Sequence, residues 1–178
     1  MNRSSLYTVV ASALLTGFLG CSGCSKETDG GGGAAGGGTK SGLPAVLALA
    51  AEPAGAVAVK DVIANVKDGD RVVALGRVGE AGGEQAYFTL ADASLLACTE
   101  MPMPDACKTP WDFCCTAADE LATSCATVEF RENDALRNGS VIGFSGIAHL
   151  TTVVVSGTAR KDAQGNVSIL ADGLFVRR

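Results

Sequence analysis

Aromatic side chains and histidine are scarce in this chain of 178 residues. Phe, Tyr and Trp make up 5% of the sequence, which has a single Trp and a single His. Acidic residues outnumber basic ones by 19 to 14, so the net charge is −5. Proteins that bind nucleic acid combine a basic surface with aromatic side chains that stack on bases. We therefore expect no nucleic-acid partner.

Complete motifs of catalysis are also missing. Residues 143–146, Gly-Phe-Ser-Gly, stop one residue short of the Gly-x-Ser-x-Gly nucleophile elbow. Ser145 and His149 lack an evident orienting acid, which a hydrolytic triad requires. A C-x-x-C spacing, typical of thiol–disulfide exchange, occurs only between Cys21 and Cys24. We expect the protein not to be an enzyme.

The first apolar stretch lies at the N terminus. A short head carrying Arg3 precedes apolar residues 6–19, which are too few to span a bilayer as a helix. The tripeptide Leu19-Gly20-Cys21 follows directly. This pattern resembles the signal of a bacterial lipoprotein. The resemblance implies that residues 1–20 are a signal peptide and that Cys21 is lipidated, with acyl chains such as palmitate.

Lipidation at Cys21 implies where the protein resides and what it contacts. The resemblance implies that the mature Cys21 carries three acyl chains. Each buried methylene contributes about 0.8 kcal/mol of binding free energy, so the chains form a nearly permanent membrane anchor. We therefore expect a cell-envelope protein whose domain faces the periplasm or the exterior. Its partners would be the membrane, through the lipid anchor, and an envelope protein or small ligand that the sequence does not identify.

Two segments separate the lipidation site from the folded domain. Residues 21–43 contain uninterrupted glycine runs at 30–33 and 36–38, so they cannot bury enough surface to fold, and we expect a disordered, flexible tether. Residues 44–56 are an apolar lead-in segment that fits either a helix or an edge strand. The folded domain is predicted over residues 57–178.

Alternating apolar residues predict five short strands in this domain. The predicted strands cover residues 71–78, 86–90, 126–131, 151–161 and 166–177. The spacing of Val59, Ile63 and Val66 predicts a helix over residues 60–66. The apolar phase of the fifth strand changes near Gly173, which predicts a bulge. The expected fold class is all-β with minor α, a small closed barrel.

Three of these segments carry a second resemblance. Residues 72–78 (Val-Val-Ala-Leu-Gly-Arg-Val), 88–92 (Phe-Thr-Leu-Ala-Asp) and 153–157 (Val-Val-Val-Ser-Gly) resemble strands of the OB-fold of the tRNA-anticodon-binding type. The resemblance implies a five-stranded OB-like barrel. Glycines fit sharply bent barrel strands, because the absence of Cβ avoids a clash with a neighbouring strand. A cysteine-rich insertion, residues 93–125, separates the second and third strands.

The insertion holds five of the seven cysteines. An exported protein lies in an oxidising compartment, so disulfides are the expected state. Neighbouring cysteines rarely bond each other, so Cys98 and Cys107 are predicted to pair with Cys114 and Cys115, in either order. Cys125 is then left as a reactive thiol. A short helix after the cysteine pair, capped by Thr116, is also predicted.

The alternative for the insertion is a metal site. Four thiolates can hold zinc or an iron–sulfur group, although the usual C-x-x-C spacing is missing. Met101, Met103 and His149 add thioether and imidazole donors that suit Cu(I). With Trp111 nearby in sequence, the set loosely resembles the site of small periplasmic copper-chaperone proteins.

Two functions follow from these patterns. The first is a lipid-anchored cell-envelope binding or scaffolding module without enzymatic activity or cofactor. The alternative is a periplasmic metal-handling protein that binds copper or zinc through the Cys/Met-rich loop. The oxidation state of the loop separates the two, because a pair of disulfides leaves no set of thiolates for a metal ion.

Overall fold

The computed structural model describes residues 42–102 and 108–178. The strands are β1 Val57–Ala58, β2 Arg71–Ala81, β3 Tyr87–Ala91, β4 Cys125–Glu129, β5 Arg131–Glu132, β6 Ala135–Leu136, β7 Thr152–Lys161 and β8 Val167–Val176. The α-helices are α1 Val59–Asn65 and α2 Ala118–Ser124, and single 3₁₀ turns cover Ala45–Leu47, Cys98–Glu100 and Phe144–Gly146. The predicted signal peptide, Cys21 and most of the tether lie outside the described residues. Among the described helices, none has the length and apolar character needed to cross a membrane.

Five strands form a closed barrel in the order β2, β3, β4, β8 and β7, with β7 returning to pair with β2. Neighbours are antiparallel except β4 and β8, which run parallel. The short strand β1 adds to β2 in parallel. The fold is therefore the predicted small all-β, OB-like barrel, and the cysteine-rich insertion leaves it between β3 and β4, its second and third strands.

The barrel core contains the side chains that the alternation placed on one face of each strand. Its fully buried members include Val78, Phe88, Leu90, Val128, Val153, Val155 and Ile169. The rings of Phe88 and Phe130 stack with their centroids 6.5 Å apart. Helix α1 contributes Val59, Val62 and Ile63 to the same core, and Val66 is buried directly after the helix. The predicted helix is thus confirmed, one residue earlier than the predicted range 60–66.

Two glycines allow barrel strands to approach closely. A Cβ on Gly76 would lie 2.6 Å from the carbonyl oxygen of Ala91 on β3, and one on Gly157 would collide with the carbonyl oxygen of Leu170 on β8. Real Cβ atoms do not approach so near, so both positions require glycine. The predicted bulge in β8 is confirmed one residue earlier, because the pairing with β7 skips Asp172 rather than Gly173.

Two details of the chain path differ from the sequence expectations or were left open by them. The third predicted strand, 126–131, ends at Glu129, because the chain then forms a separate β5–β6 hairpin with its turn at Asn133 and Asp134, both at positive φ. The lead-in segment is a single 3₁₀ turn, Ala45–Leu47. It then runs beside β8, where the Leu49 amide donates to the Leu174 carbonyl at 2.8 Å.

Candidate functional site

Both ends of the insertion are fixed on the barrel. Ala91, the last residue of β3, pairs with Cys125, the first residue of β4. The backbone amide of Asp92 donates to the Ser124 carbonyl at 2.9 Å, and the amide and hydroxyl of Ser94 donate to the Asp92 carboxylate at 3.0 and 2.7 Å. Burial acts to raise the pKa of Asp92, but the hydrogen bonds from Ser94 and the nearby Lys60 lower it overall. A charged Asp92 therefore holds the point where the insertion begins.

The insertion has a small apolar cluster of its own. Its buried members are Ala91, Leu95, Ala97 and Phe113, with Leu121, Cys125 and Leu150 packed against them. This cluster is separate from the core inside the barrel. Within the described part of the insertion, only Leu95 and Phe113 are large and buried in this cluster, whereas ordering a residue costs roughly 1–2 kcal/mol of backbone entropy. The insertion therefore depends on further contacts to keep its conformation.

Arg77 of β2 provides several of these contacts. Its side chain is only 13% exposed, and its guanidinium donates to the Glu100 carboxylate at 2.6 Å and to the carbonyl of Leu95. The same group lies 5.7 Å from the centre of the Phe113 ring, within the range of a cation–π contact. Its Nε finds no hydrogen-bond partner among the described residues. One barrel arginine thus contacts the insertion at two places, at Leu95 and Glu100 and, further along the chain, at Phe113.

Glu100 connects Arg77 to the backbone beside Cys98, the first cysteine of the insertion. Its second carboxylate oxygen accepts a hydrogen bond from the Ala97 amide at 2.8 Å, immediately before Cys98. The Arg77 guanidinium, followed by the Ala97 amide, lowers the pKa of Glu100. The charged carboxylate therefore fixes the 3₁₀ turn Cys98–Glu100 at neutral pH.

The two arms of the insertion are joined by backbone hydrogen bonds. The Cys98 amide donates to the Asp112 carbonyl and the Thr99 amide to the Pro110 carbonyl, both at 3.0 Å. These bonds place Cys98 across from the residues that follow Asp112. The Thr116 amide donates to the Phe113 carbonyl at 2.9 Å, so the chain turns at the cysteine pair. Thr116 is not the predicted helix cap, because α2 begins at Ala118 after Ala117, which makes no side-chain cap.

Three cysteines meet at this place, and we call Cys98, Cys114 and Cys115 the thiol cluster. The Sγ atom of Cys98 lies 3.4 Å from that of Cys114 and 3.9 Å from that of Cys115, and all three lie within 4.8 Å of one another. Cys98 is buried, whereas Cys114 and Cys115 are exposed. The predicted approach of Cys98 to Cys114 and Cys115 is thus present in the structure.

The predicted disulfides are not seen among the described cysteines. The shortest of the quoted sulfur–sulfur distances, 3.4 Å, is well beyond the bond length of about 2.05 Å. Cys98 instead lies between two sulfur neighbours, with neither at bonding distance. Cys107 and Met103, which were also predicted as site residues, lie outside the described residues.

Cys125 does not belong to the thiol cluster. This agrees with the prediction that it takes no part in the disulfides. It is half-buried at the start of β4. Burial, and then the carboxylates of Asp92 and Asp112, raise the pKa of its thiol to about 11. Cys125 is thus free, as predicted, and its raised pKa keeps the thiolate, the reactive form, scarce at neutral pH.

His149 does not join the sulfur atoms within the described part of the chain. Its Nδ1 donates to the Gly79 carbonyl at 2.7 Å, and its ring stacks on Trp111 with centroids 4.3 Å apart. This stack is a second contact between the insertion and the barrel side of the molecule. Met101 directly follows the Cys98–Glu100 turn, and its amide approaches the Cys98 carbonyl at 3.4 Å. The copper set proposed from the sequence is thus divided, with His149 engaged elsewhere.

Sequence reasoning missed the part played by Arg77 and Glu100. The alternation of residues 71–78 predicts that Arg77 lies on the face opposite Val78, where solvent exposure is the ordinary expectation. Its low exposure results from the insertion folding back over β2, and its partner lies 23 residues further along the chain. The sequence signal was weak, because β2 also contains two other charged residues, Arg71 and Glu80.

Comparisons with models of protein families and with curated proteins find no match to this chain.

Proposed function

We propose that the protein is a lipid-anchored, non-enzymatic binding module of the cell envelope, in which the barrel presents the insertion as its binding element. The thiol cluster carries this proposal. It gathers three side chains of one chemistry at the surface, with one buried and two exposed. A cluster that served packing alone would have no need of two exposed cysteines beside a buried one.

The surroundings of the cluster support a binding role rather than catalysis. His149 is hydrogen-bonded to Gly79 and stacked on Trp111, which is the behaviour of a structural histidine. The half-buried Cys125 is a weak nucleophile because its pKa is raised. The net charge of −5 and the few aromatic residues argue against nucleic acid as the partner.

A disulfide-braced scaffolding module is the second candidate function. The observation that favours it is the 3.4 Å separation of the Cys98 and Cys114 sulfurs, which need to approach by little more than an ångström to bond. Such a bond would secure the insertion where its apolar cluster is small, at about 2–4 kcal/mol for a loop of this kind.

Membrane attachment is tested by acyl labelling of cells that express the full chain. We expect the wild type to incorporate labelled palmitate and to fractionate with membranes. Cys21→Ala should accumulate as an unlabelled precursor, and Cys24→Ala is the matched control that keeps the label. Unchanged labelling of Cys21→Ala would contradict the proposed anchor site.

The role of the insertion is tested by the intact mass of the purified protein under native and denaturing conditions, together with a thiol count. A binding element shows additional mass that is lost on denaturation and is absent from Cys98→Ser. A protein without additional mass, in which Cys98 and Cys114 are joined covalently, would contradict the binding role and favour the scaffold.

A further inference from the structure

The spacing of the sulfur atoms in the thiol cluster carries a more specific inference. Zinc–thiolate bonds are about 2.3 Å long, so two sulfurs of a tetrahedral site lie roughly 3.8 Å apart. The distances from Cys98 to Cys114 and Cys115, 3.4 and 3.9 Å, fall on either side of that value. Three sulfurs within 4.8 Å of one another thus have the dimensions of one face of a thiolate coordination shell.

We propose that Cys98, Cys114 and Cys115 together bind one thiophilic metal ion, of the class that includes Zn²⁺ and Cu(I). This inference rests on the proposed function, since it names the ligand of the same binding element. Sulfur donors favour these ions over hard cations such as Mg²⁺ or Ca²⁺.

The backbone around the cluster is organised by contacts that involve no sulfur. The Ala97 amide is held by Glu100, and the Cys98 and Thr99 amides are held by the opposite arm of the insertion. Arg77 contacts Phe113, the residue before Cys114. Ligands that are fixed before the ion arrives lose less conformational entropy on binding, so this frame favours affinity.

The charge balance around Cys98 favours a metal ion over an isolated thiolate. Cys98 is only 2% exposed, and a buried negative charge is costly without a compensating cation. The guanidinium of Arg77, which contacts Glu100 at the end of the turn that begins at Cys98, is already paired with that carboxylate. A metal ion would supply the positive charge that a deprotonated Cys98 requires.

The exposure of the other two cysteines indicates how the site would be loaded. Cys114 and Cys115 are exposed, so an ion can reach them from solvent. With three thiolates from the described residues, an ion retains a position for a further ligand, as open zinc sites do. Binding of Zn²⁺ replaces three S–H bonds with three Zn–S bonds, releases three protons and involves no change of oxidation state, so affinity should fall as pH is lowered.

The test is a metal titration of the full-length protein in detergent, reduced with a phosphine and freed of reductant without air. Co²⁺ serves as the spectroscopic probe for the zinc arm, and is then displaced by Zn²⁺. A chromogenic chelator reports the Cu(I) arm by competition. We expect the protein to bind one ion per chain in at least one of these two titrations. If the site takes zinc-like ions, Co²⁺ should show sulfur-to-cobalt charge-transfer absorption.

Single substitutions decide whether the thiol cluster holds the ion. Cys114→Ser and Cys115→Ser alter exposed positions, so they should keep the fold, and each should weaken binding by more than about tenfold. Cys98→Ser should do the same at the buried position. Cys125→Ser is the matched control, because it removes a thiol that lies outside the cluster, and it should leave the affinity unchanged.

Two results would overturn the metal proposal. One is a reduced wild-type protein that binds neither Co²⁺ and Zn²⁺ nor Cu(I). The other is binding that persists unchanged in both Cys114→Ser and Cys115→Ser. Neither result affects acyl labelling at Cys21, so the failure of the metal site and the failure of the membrane anchor are separate observations.

Discussion

The barrel and the insertion are stabilised by different kinds of contact. The barrel closes through continuous strand pairing around a large apolar core to which every barrel strand contributes. Among its described residues, the insertion has two large side chains buried in its apolar cluster, and it relies on Arg77, Glu100 and the Trp111–His149 stack. The barrel therefore has redundant support, whereas the insertion depends on a few specific side chains.

The single tryptophan makes this difference measurable. Trp111 lies in the insertion, so its fluorescence reports the conformation of that region. Circular dichroism of the backbone reports mainly on the barrel, which contains the long strands. A perturbation of the insertion should change the first signal and spare the second, whereas a perturbation of the barrel should change both.

The largest effect should come from the barrel core. Phe88 is fully buried and stacks on Phe130, so Phe88→Ala should lower the free energy of unfolding by about 3–5 kcal/mol. Denaturant unfolding followed by both signals should show the two transitions shifting together. Leu96→Ala, at a side chain that is 51% exposed, is the control and should stay within about 0.5 kcal/mol. A cost below about 1 kcal/mol at Phe88 would break the comparison.

A smaller loss of stability should follow when the barrel strands are forced apart. Gly157→Ala introduces a Cβ against the Leu170 carbonyl, and we expect a loss of about 1–3 kcal/mol in the same unfolding experiment. A Cβ on Gly83 meets no atom within 4 Å, so Gly83→Ala is the matched control with little effect. Equal stabilities of the two variants would contradict a close approach of β7 and β8 at Gly157.

Arg77→Ala should separate the two regions. Loss of its bonds to Glu100 and Leu95 should destabilise the insertion locally by about 1–3 kcal/mol, because a buried, charge-assisted contact is removed. We expect altered Trp111 fluorescence and faster hydrogen exchange at the Cys98 and Thr99 amides. Exchange in the β7–β8 pairing should be unchanged.

The control for this variant is Arg71→Ala, because Arg71 lies on the same strand and pairs with Asp172 on the exposed surface. It should leave Trp111 unaffected. If Arg77→Ala also left the insertion intact, Arg77 would not be the contact that holds it.

Acidification should give the smallest effect. The pKa of Glu100 is lowered in the folded protein, so its ionised form contributes stability at neutral pH. That contribution should begin to disappear as the pH falls below the ordinary value of 4.5 and be lost once the pH passes the folded-state pKa. A pH titration of Trp111 fluorescence should show this loosening, and Glu100→Gln should show it already at neutral pH. A fluorescence transition of equal size in Glu100→Gln would assign the effect to another group.

Much of the barrel could be predicted from the sequence because strand alternation repeats a local signal. The residues that share a face, such as Phe88 and Leu90, identify their own strand without knowledge of its partners. The bulge was displaced by one residue because Asp172 and Gly173 both fit the change of phase. Local sequence patterns were thus sufficient to predict the strands, whereas the exact position of the bulge depends on how β8 pairs with β7.

The insertion could not be predicted to the same extent, because its contacts join residues that no local pattern relates. Cysteine spacing predicted that Cys98 approaches the Cys114–Cys115 pair, and the structure brings them together. Whether the sulfurs bond or stand apart depends on the backbone frame between Cys98 and Asp112. The burial of Arg77 beneath the insertion depends on how the insertion as a whole folds back over β2.

Hydrogen exchange of the reduced, full-length protein with and without Zn²⁺ tests most directly whether a self-sufficient barrel carries a separate metal-holding insertion. We expect Zn²⁺ to slow exchange in residues 93–102 and 108–124, and to leave β2, β7 and β8 unchanged. Cys125→Ser should behave as the wild type, and Cys114→Ser should lose the response. Protection that spreads through the barrel strands, or an insertion that responds neither to Zn²⁺ nor to Cu(I) in the same experiment, would contradict the account.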